Sequence, residues 1–545
     1  MARAVTLFLN LTTVQFPFTK TGMQIENKDK VNVMPKLKSL ILTQTPGGNR
    51  YFFDRKKKSI ILCNHLLHHM LHLYQEGADL NEWIHGFQTD PVAIEGCGSF
   101  TRQELEYYYQ KFLFLQKSGY FSEPGDESFA PDPITPAMVK YSLANSQQLT
   151  FEVTDRCNLK CEYCGYGHFY GNYDSRAGTE LNIEAAKRLL TYMADLWNSP
   201  LNVSHNKKFY ISFYGGEPLL NMKFIKETVH FLEGMESLHN RFVFNMTTNA
   251  LLLERHMDYL VEKHFKLLIS LDGNEKNNGY RILKNGNPGF PYIIKGIDAL
   301  KQKYPNYFKT HVSFNAVLHN LNSIPEIYRF IEGNYGKTPR VGEMNNTGVK
   351  NSKQKDFWKV YSSLEESFNR IPGDSNGIKK DMFINIPDIK GLSSFLLKYS
   401  GFVYENYRHL LTSRPLKKKY PTGTCIPFHK KIFVTAAGKI LPCESIGTHF
   451  YLGRVSKEKL TLNYSAIARK YNSYFGKLAH QCSLCYRKES CAACIFTMKY
   501  VKHQPICVQK TDHANFCGYL AYHLAQFERE PGLYKTITEV VSIDM

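Results

Sequence analysis

The sequence predicts an α/β protein built around a partial (β/α)6 TIM-like barrel, with a winged helix-turn-helix-like domain before it and a cysteine-rich domain after it. Three observations carry this. Strand-like and helix-like runs alternate through the middle of the chain, a pattern that folds as a parallel sheet with helices outside. Three short apolar strands followed by three amphipathic helices precede that region. Eight of the thirteen cysteines crowd between Cys425 and Cys517.

The chain's 545 residues exceed what one core serves, so several domains are expected. Residues 1–34 read as an N-terminal tail. Ala4 to Leu9 follow Arg3 but lack a small-residue cleavage site, so no signal peptide is expected. In residues 35–121, a winged-helix-like domain, apolar strands flank the turn Pro46-Gly47-Gly48-Asn49 and a third strand covers Ser59 to Cys63. Asn64 caps a helix through Tyr74, and Asp79 caps a second through Phe87. Thr101 and Glu104 form a capping box for a third helix ending near Gly119.

Residues 122–147 are a proline-rich linker. Residues 148–346 form the barrel, with strands at Leu149 to Thr154, Phe209 to Phe213, Phe242 to Met246, Leu267 to Leu271, Val312 to Leu318 and near Val341. The helices between them start at Ile183, Phe224, Glu254, Tyr292 and Pro325. Chemistry is then expected at the C-terminal ends of the strands. Residues 347–420 read as a bridge and residues 421–545 as the cysteine-rich domain, which contains a packing helix from Cys517 to Phe527.

The net charge of +19 suits an acidic peptide, a nucleic acid or an anionic membrane. The basic runs Arg55 to Lys58 and Lys417 to Lys419 lack the interleaved aromatics of a single-strand-binding groove. Nowhere do about 18 apolar residues run together, so no membrane span is expected.

Cys157, Cys161 and Cys164 occupy one loop directly after the first barrel strand. Three thiolates suit a four-iron cubane whose remaining iron stays open, whereas zinc normally takes four closed ligands or a different spacing. Further on stand Cys425, Gly438 and Cys443, then Cys482-x2-Cys485-x5-Cys491-x2-Cys494, with Cys507 and Cys517 beyond. Disulfide frameworks belong to small exported domains, so metal ligation is the better reading. By spacing alone these later pairs also fit zinc. Cys63 and Cys97 stand apart as ordinary thiols.

The run Cys157-x3-Cys161-x2-Cys164, with Tyr163 before its third cysteine, resembles the radical S-adenosylmethionine (radical SAM) superfamily. There the open iron of a 4Fe–4S cluster binds S-adenosylmethionine, whose reductive cleavage gives a 5′-deoxyadenosyl radical. The resemblance implies cofactor contacts for Tyr163, for Gly215, Gly216, Glu217 and Pro218 after the second strand, and for Asn249 after the third. It implies the same for Ser270 and Asp272 after the fourth, and for Arg281, whose guanidinium matches a carboxylate.

Joined to that motif, the C-terminal cysteines resemble a SPASM extension with two auxiliary 4Fe–4S clusters. The pattern implies Cys425, Cys443 and Cys494 for the first, and Cys482, Cys485, Cys491 and either Cys507 or Cys517 for the second. Two departures stand out. Only Ala492 and Ala493 separate the last pair, where the family has three residues, and no cysteine shortly precedes Cys425. The first auxiliary cluster then has an open iron or takes the spare cysteine.

Residues 35–121 resemble the peptide-recognition element of enzymes that mature ribosomally made peptides (RiPPs). The resemblance implies that the strand Ser59 to Cys63 and the helix Thr101 to Gly119 bind a leader by strand addition. The implied activity is radical installation of a thioether, C–C or C–O cross-link in a precursor peptide. Its implied partners are that peptide and a low-potential donor such as ferredoxin or flavodoxin, in an oxygen-poor cytoplasm, with neither membrane nor nucleic acid. Three other readings are an anaerobic sulfatase-maturing (formylglycine-forming) enzyme, a radical SAM enzyme acting on RNA, and a zinc-ribbon DNA-binding regulator. The last leaves Cys157 to Cys164 and Gly215 to Pro218 without a role, and its recognition helix would carry Tyr and Phe rather than Arg and Lys.

Overall fold

The fold is that of a computed structural model, which describes residues 39–122, 133–205, 207–235, 241–371, 376–383, 386–399, 423–501 and 504–540. The expectations for residues 1–34 and for Lys417 to Lys419 lie outside these.

In the N-terminal region β1 (Leu40–Gln44), β2 (Arg50–Asp54) and β3 (Ser59–Cys63) form an antiparallel sheet in that order, leaving β3 at the edge. Asn64 caps α1 (His65–Glu76) and Asp79 caps α2 (Leu80–His85), each side chain accepting from backbone N–H groups one turn on. A hairpin that the sequence did not disclose follows, β4 (Val92–Ile94) with β5 (Gly98–Phe100). Its three-residue strands are too short to show a period. The Thr101–Glu104 capping box then opens α3 (Arg102–Lys117).

Successive strand residues point to opposite faces, and here both faces are covered. Leu40 and Phe52 join the core under α1 and α3. Ile41 and Phe53 instead pack against Tyr399, Phe516 and Leu520 from the far end of the chain.

After α4 (Pro136–Ala144) the barrel runs β6 (Gln148–Thr154), α5 (Ile183–Trp197), β7 (Lys208–Gly215), α6 (Met222–Glu233), β8 (Arg241–Thr248), α7 (Leu253–Glu262) and β9 (Lys266–Ser270). It continues through α8 (Phe290–Lys303), α9 (Pro305–His311), β10 (Val312–Leu318), α10 (Ile324–Tyr335) and β11 (Arg340–Glu343). The strands β6 to β11 pair in parallel with their sequence neighbours. This is the expected partial (β/α)6 barrel. Leu149, Phe151 and Val153 of β6 are sealed into one core with Leu189, Leu190 and Met193 of α5.

The sheet does not stop at β6. After α11 (Gln354–Val360), α12 (Leu364–Asn369), α13 (Asn376–Asp381) and α14 (Pro387–Tyr399), β12 (Ile432–Val434) pairs in parallel with β6. Then β13 (Lys439–Leu441), β14 (Gly453–Val455) and β15 (Leu460–Leu462) extend it antiparallel to a ten-stranded order. A continuous sheet therefore crosses the boundary expected near residue 421. Gly438, at φ 74°, makes the β12–β13 turn where a Cβ would overlap the Val455 carbonyl, which accounts for glycine at that spacing. The chain ends in α15 (Tyr464–Ser483), the hairpin β16 (Lys499–Val501) and β17 (Gln504–Ile506), α16 (His513–Arg529) and α17 (Gly532–Val540). No described helix is long and apolar enough to cross a membrane.

Candidate active site

The loop after β6 carries Cys157, Cys161 and Cys164, all free and half-buried. Backbone bonds fix it on two sides. Lys160 N donates to Ile282 O at 2.8 Å on one side, and Gly216 N and Glu217 N donate to Thr154 O at 2.9 Å and Arg156 O at 2.8 Å on the other. A Cβ on Gly215 would overlap the Thr154 carbonyl, and one on Gly216 the Arg156 carbonyl. The two glycines thus let the β7 turn lie flat against the cysteine loop.

Glu217 is buried, and its carboxylate accepts from Thr248 Oγ1 at 2.7 Å, Asn249 N at 2.7 Å and Leu219 N at 3.1 Å. Burial pushes it up to about 7, against those bonds. Its carboxylate thus braces the loop after β8. Pro218 opens the short turn that follows and is buried. Asn249 in turn donates to Asn158 Oδ1 at 2.7 Å, and its amide stands 3.8 Å from Cys157 Sγ.

Asp272, 0% exposed, is the second brace. It takes Arg281 Nε at 2.8 Å and Arg281 Nη2 at 3.0 Å, the Val317 N–H at 2.9 Å, and the Tyr163 hydroxyl. His319, at the end of β10, lies 3.7 Å from the same carboxylate and stacks on the Tyr163 ring with centroids 5.2 Å apart. Burial pushes Asp272 up, but the Arg281 charge and the bonds from His319 and Arg281 outweigh it and hold the group at about 2. Arg281 was expected to meet a ligand carboxylate. Its fork is closed on Asp272, since a buried guanidinium needs a buried counter-charge. Ser270 closes β9, half-buried.

The C-terminal cysteines fall into two groups. Cys482, Cys485, Cys491 and Cys507 line one cavity together with Lys488, Gln509 and Lys510. Cys517 is not among them. It sits on α16, with Sγ 3.8 Å from His513 Nε2 and its carbonyl accepting from Thr43 Oγ1 at 2.9 Å, so of the two candidates the fold brings only Cys507 to the group. Burial, the larger cause, and the charges of Cys494, Cys425 and Cys443 together push the Tyr471 hydroxyl up. That hydroxyl is buried and has no hydrogen-bond partner among the described residues.

Sequence reasoning missed His319, although it follows the expected fifth strand as the other polar residues follow theirs. It also missed the cavity between barrel and C-terminal sheet, lined by Glu152, Tyr166, Tyr173, Arg176 and Glu444 among others. Arg176 pairs with Glu152 at 3.0 Å and lies 4.2 Å over the Tyr166 ring. These residues come from distant segments and share no motif.

A parallel barrel with free thiols in the loop after its first strand is the architecture of a radical SAM domain. Residues 151–331 match the family described as the Radical SAM superfamily, so the chain carries a radical SAM domain. It is 30% identical over 187 residues to an uncharacterized protein of Methanocaldococcus jannaschii, covering 34% of this chain and 57% of that one. It is 19% identical to the radical SAM cyclopropyl synthase TigE of Paramaledivibacter caminithermalis, over 56% of this chain and 58% of that enzyme. The chain thus spans little more than half the length of these two relatives. A solved structure, native anSMEcpe with bound AdoMet and the Cp18Cys peptide, is similar over 72% of this chain and 99% of that one, at 16% identity and a TM-score of 0.48.

Membership implies a 4Fe–4S cluster and S-adenosylmethionine. The residues present fit: three free thiols share one loop, with an amide donor beside one sulfur. Among the described residues no three His, Cys, Asp or Glu side chains close around a single metal ion.

Proposed function

We propose that the chain binds the leader of a ribosomally made precursor peptide and installs a radical-derived thioether, C–C or C–O cross-link in its core. One juxtaposition carries this reading: the three-thiol loop at the barrel mouth, two further cysteine groups, and an open-edged N-terminal sheet, all in one chain.

Cys157, Cys161 and Cys164 would hold the cluster that binds S-adenosylmethionine, and Cys425, Cys443, Cys494 and Cys482, Cys485, Cys491, Cys507 two auxiliary 4Fe–4S clusters. When bound, the cofactor supplies a carbon-centred radical able to take hydrogen from an unactivated carbon. The protein's part is positioning. The backbone around Gly215 and Gly216 offers carbonyls to an ammonium group, and Asn249 donates toward the Cys157 sulfur. The Asp272–Arg281–Tyr163–His319 node keeps the far wall of the mouth rigid and dry.

At the other end β3 presents an unpaired edge. Leu62 on that strand is 58% exposed and Phe114 on α3 is 68% exposed, large apolar groups free to meet a peptide. Arg50 and Lys111 are the charges that act on Cys63 at the end of β3, and they suit an acidic leader. The partial similarity to a cyclopropyl synthase is consistent with radical bond formation. A low-potential donor such as ferredoxin or flavodoxin, and an oxygen-poor cytoplasm, complete the proposal.

The test pairs a short peptide encoded beside the gene with the anaerobically reconstituted protein. Leu62→Asp should weaken leader binding at least tenfold with iron content unchanged; equal binding by this variant would refute the docking edge. A second reading, maturation of a sulfatase, is favoured by 26% identity over 183 residues to a cysteine-type anaerobic sulfatase-maturating enzyme of Clostridium novyi, covering 46% of that enzyme. Formylglycine appearing in a sulfatase peptide, with no effect of Leu62→Asp, would select it.

A further inference from the structure

Tyr471 lies on α15 with its ring sealed between Phe475 and Phe496, at centroid distances of 6.2 and 5.3 Å. The residue is 0% exposed. A buried hydroxyl without a partner forfeits its hydration with nothing in return, so native structures rarely keep one. Here the described residues provide none.

The titratable groups that act electrostatically on the hydroxyl are cysteine thiols. Cys494, Cys425 and Cys443, from three separate segments, are its charged-state neighbours, in that order of influence. One side of the aromatic wall is tied to the cysteines, since Phe496 stands two residues after Cys494. The Cys494 end is itself pinned, because Ile495 N donates to Thr424 Oγ1 at 2.8 Å beside Cys425. A phenol is both donor and acceptor, and thiolates or sulfides accept.

We propose that the Tyr471 hydroxyl donates a hydrogen bond to a sulfur of the first auxiliary cluster. It thereby answers its own burial and sets that cluster's reduction potential. This rests on the reading of Cys425, Cys443 and Cys494 as an auxiliary-cluster site. A donor to cluster sulfur stabilises the more negative, reduced state, so it raises the potential. Tyr471 is a tuning residue in this role, with no contact to substrate required.

The experiment is a redox titration, followed by electron paramagnetic resonance, of the reconstituted holoenzyme and its Tyr471→Phe variant, with iron and sulfide counted in both. The expected result is equal iron and sulfide, one auxiliary midpoint potential moved to a more negative value, and the other clusters unmoved. Tyr474→Phe, on the same helix, is the control and should leave all potentials in place. Full iron with unmoved potentials in Tyr471→Phe would overturn the role of Tyr471 alone. Loss of about four irons per chain from Tyr471→Phe would overturn it in favour of an iron ligand. Only about four irons in the unaltered protein would instead sink the auxiliary-cluster reading itself.

Discussion

The barrel mouth and the C-terminal cysteine region are built to opposite standards of completeness. Around Cys157 to Cys164 the polar braces are answered by the protein itself: Glu217 by Thr248, Asn249 and Leu219, and Asp272 by Arg281, Tyr163 and Val317. Around Cys425, Cys443 and Cys494 a buried hydroxyl has no described partner, and Gly423 is pressed so close to Ala492 that a Cβ would overlap its backbone. The first site is shaped before anything binds. The second leaves a buried polar group unanswered among the described residues.

Removing iron should separate the two most strongly. Metal-site binding energy is folding energy where the site is not preformed. Hydrogen exchange after chelation should therefore show lost protection across residues 423–507 and retained protection in β6 to β10. Equal loss in both regions would break the contrast.

The next effect is local to the barrel. Asp272→Asn leaves Arg281 buried without its counter-charge, a change that typically costs about 3–5 kcal/mol. Calorimetry should record a lower Tm, whereas a Tm within a degree of the parent would show the node to be dispensable.

A smaller effect comes with acid. Burial, with the Arg487 charge adding to it, lowers His523 on α16 from 6.5 to about 3. The unfolded chain therefore takes up the proton first, and stability falls as pH drops below 6.5 toward 3, by about 2 kcal/mol at pH 5. Asp272 has the opposite history: its contribution is complete above 3.8 and lost only as pH falls through about 2. Denaturation followed at pH 7 and pH 5 should accordingly weaken the seam between α14 and α16 before the barrel, and His523→Phe should flatten that dependence.

The smallest effect concerns two cysteines that sequence left interchangeable. Cys507→Ala should cost about four irons per chain, and Cys517→Ala none. The reverse result would restore Cys517 as a ligand.

The barrel was legible because its strands are long enough to show alternation and its motifs fall at strand ends. The strands β4 and β12 to β15 were not, since three residues carry no period, and β12 finds its parallel partner β6 hundreds of residues earlier. The three cysteines of the first loop were readable as a contiguous motif. The internal partners of Arg281 and Glu217 were not legible, because a sequence gives a residue's chemistry but not what folds against it. His319 and Tyr471 escaped notice for the same reason, being isolated residues whose meaning comes from what folds around them.

The N-terminal sheet is locked at its back as well as offered at its edge. Phe53 meets Tyr399 and Phe516 at 5.6 and 6.1 Å, and Tyr51 and Thr45 both bond to Glu528. For protein engineering this means the unit is not an interchangeable head on a tether. A chimera made by exchanging residues 39–122 for a homologous unit must bring counterparts of Phe53, Tyr51 and Thr45 to meet Tyr399, Phe516 and Glu528, or graft only β3 and the exposed face of α3.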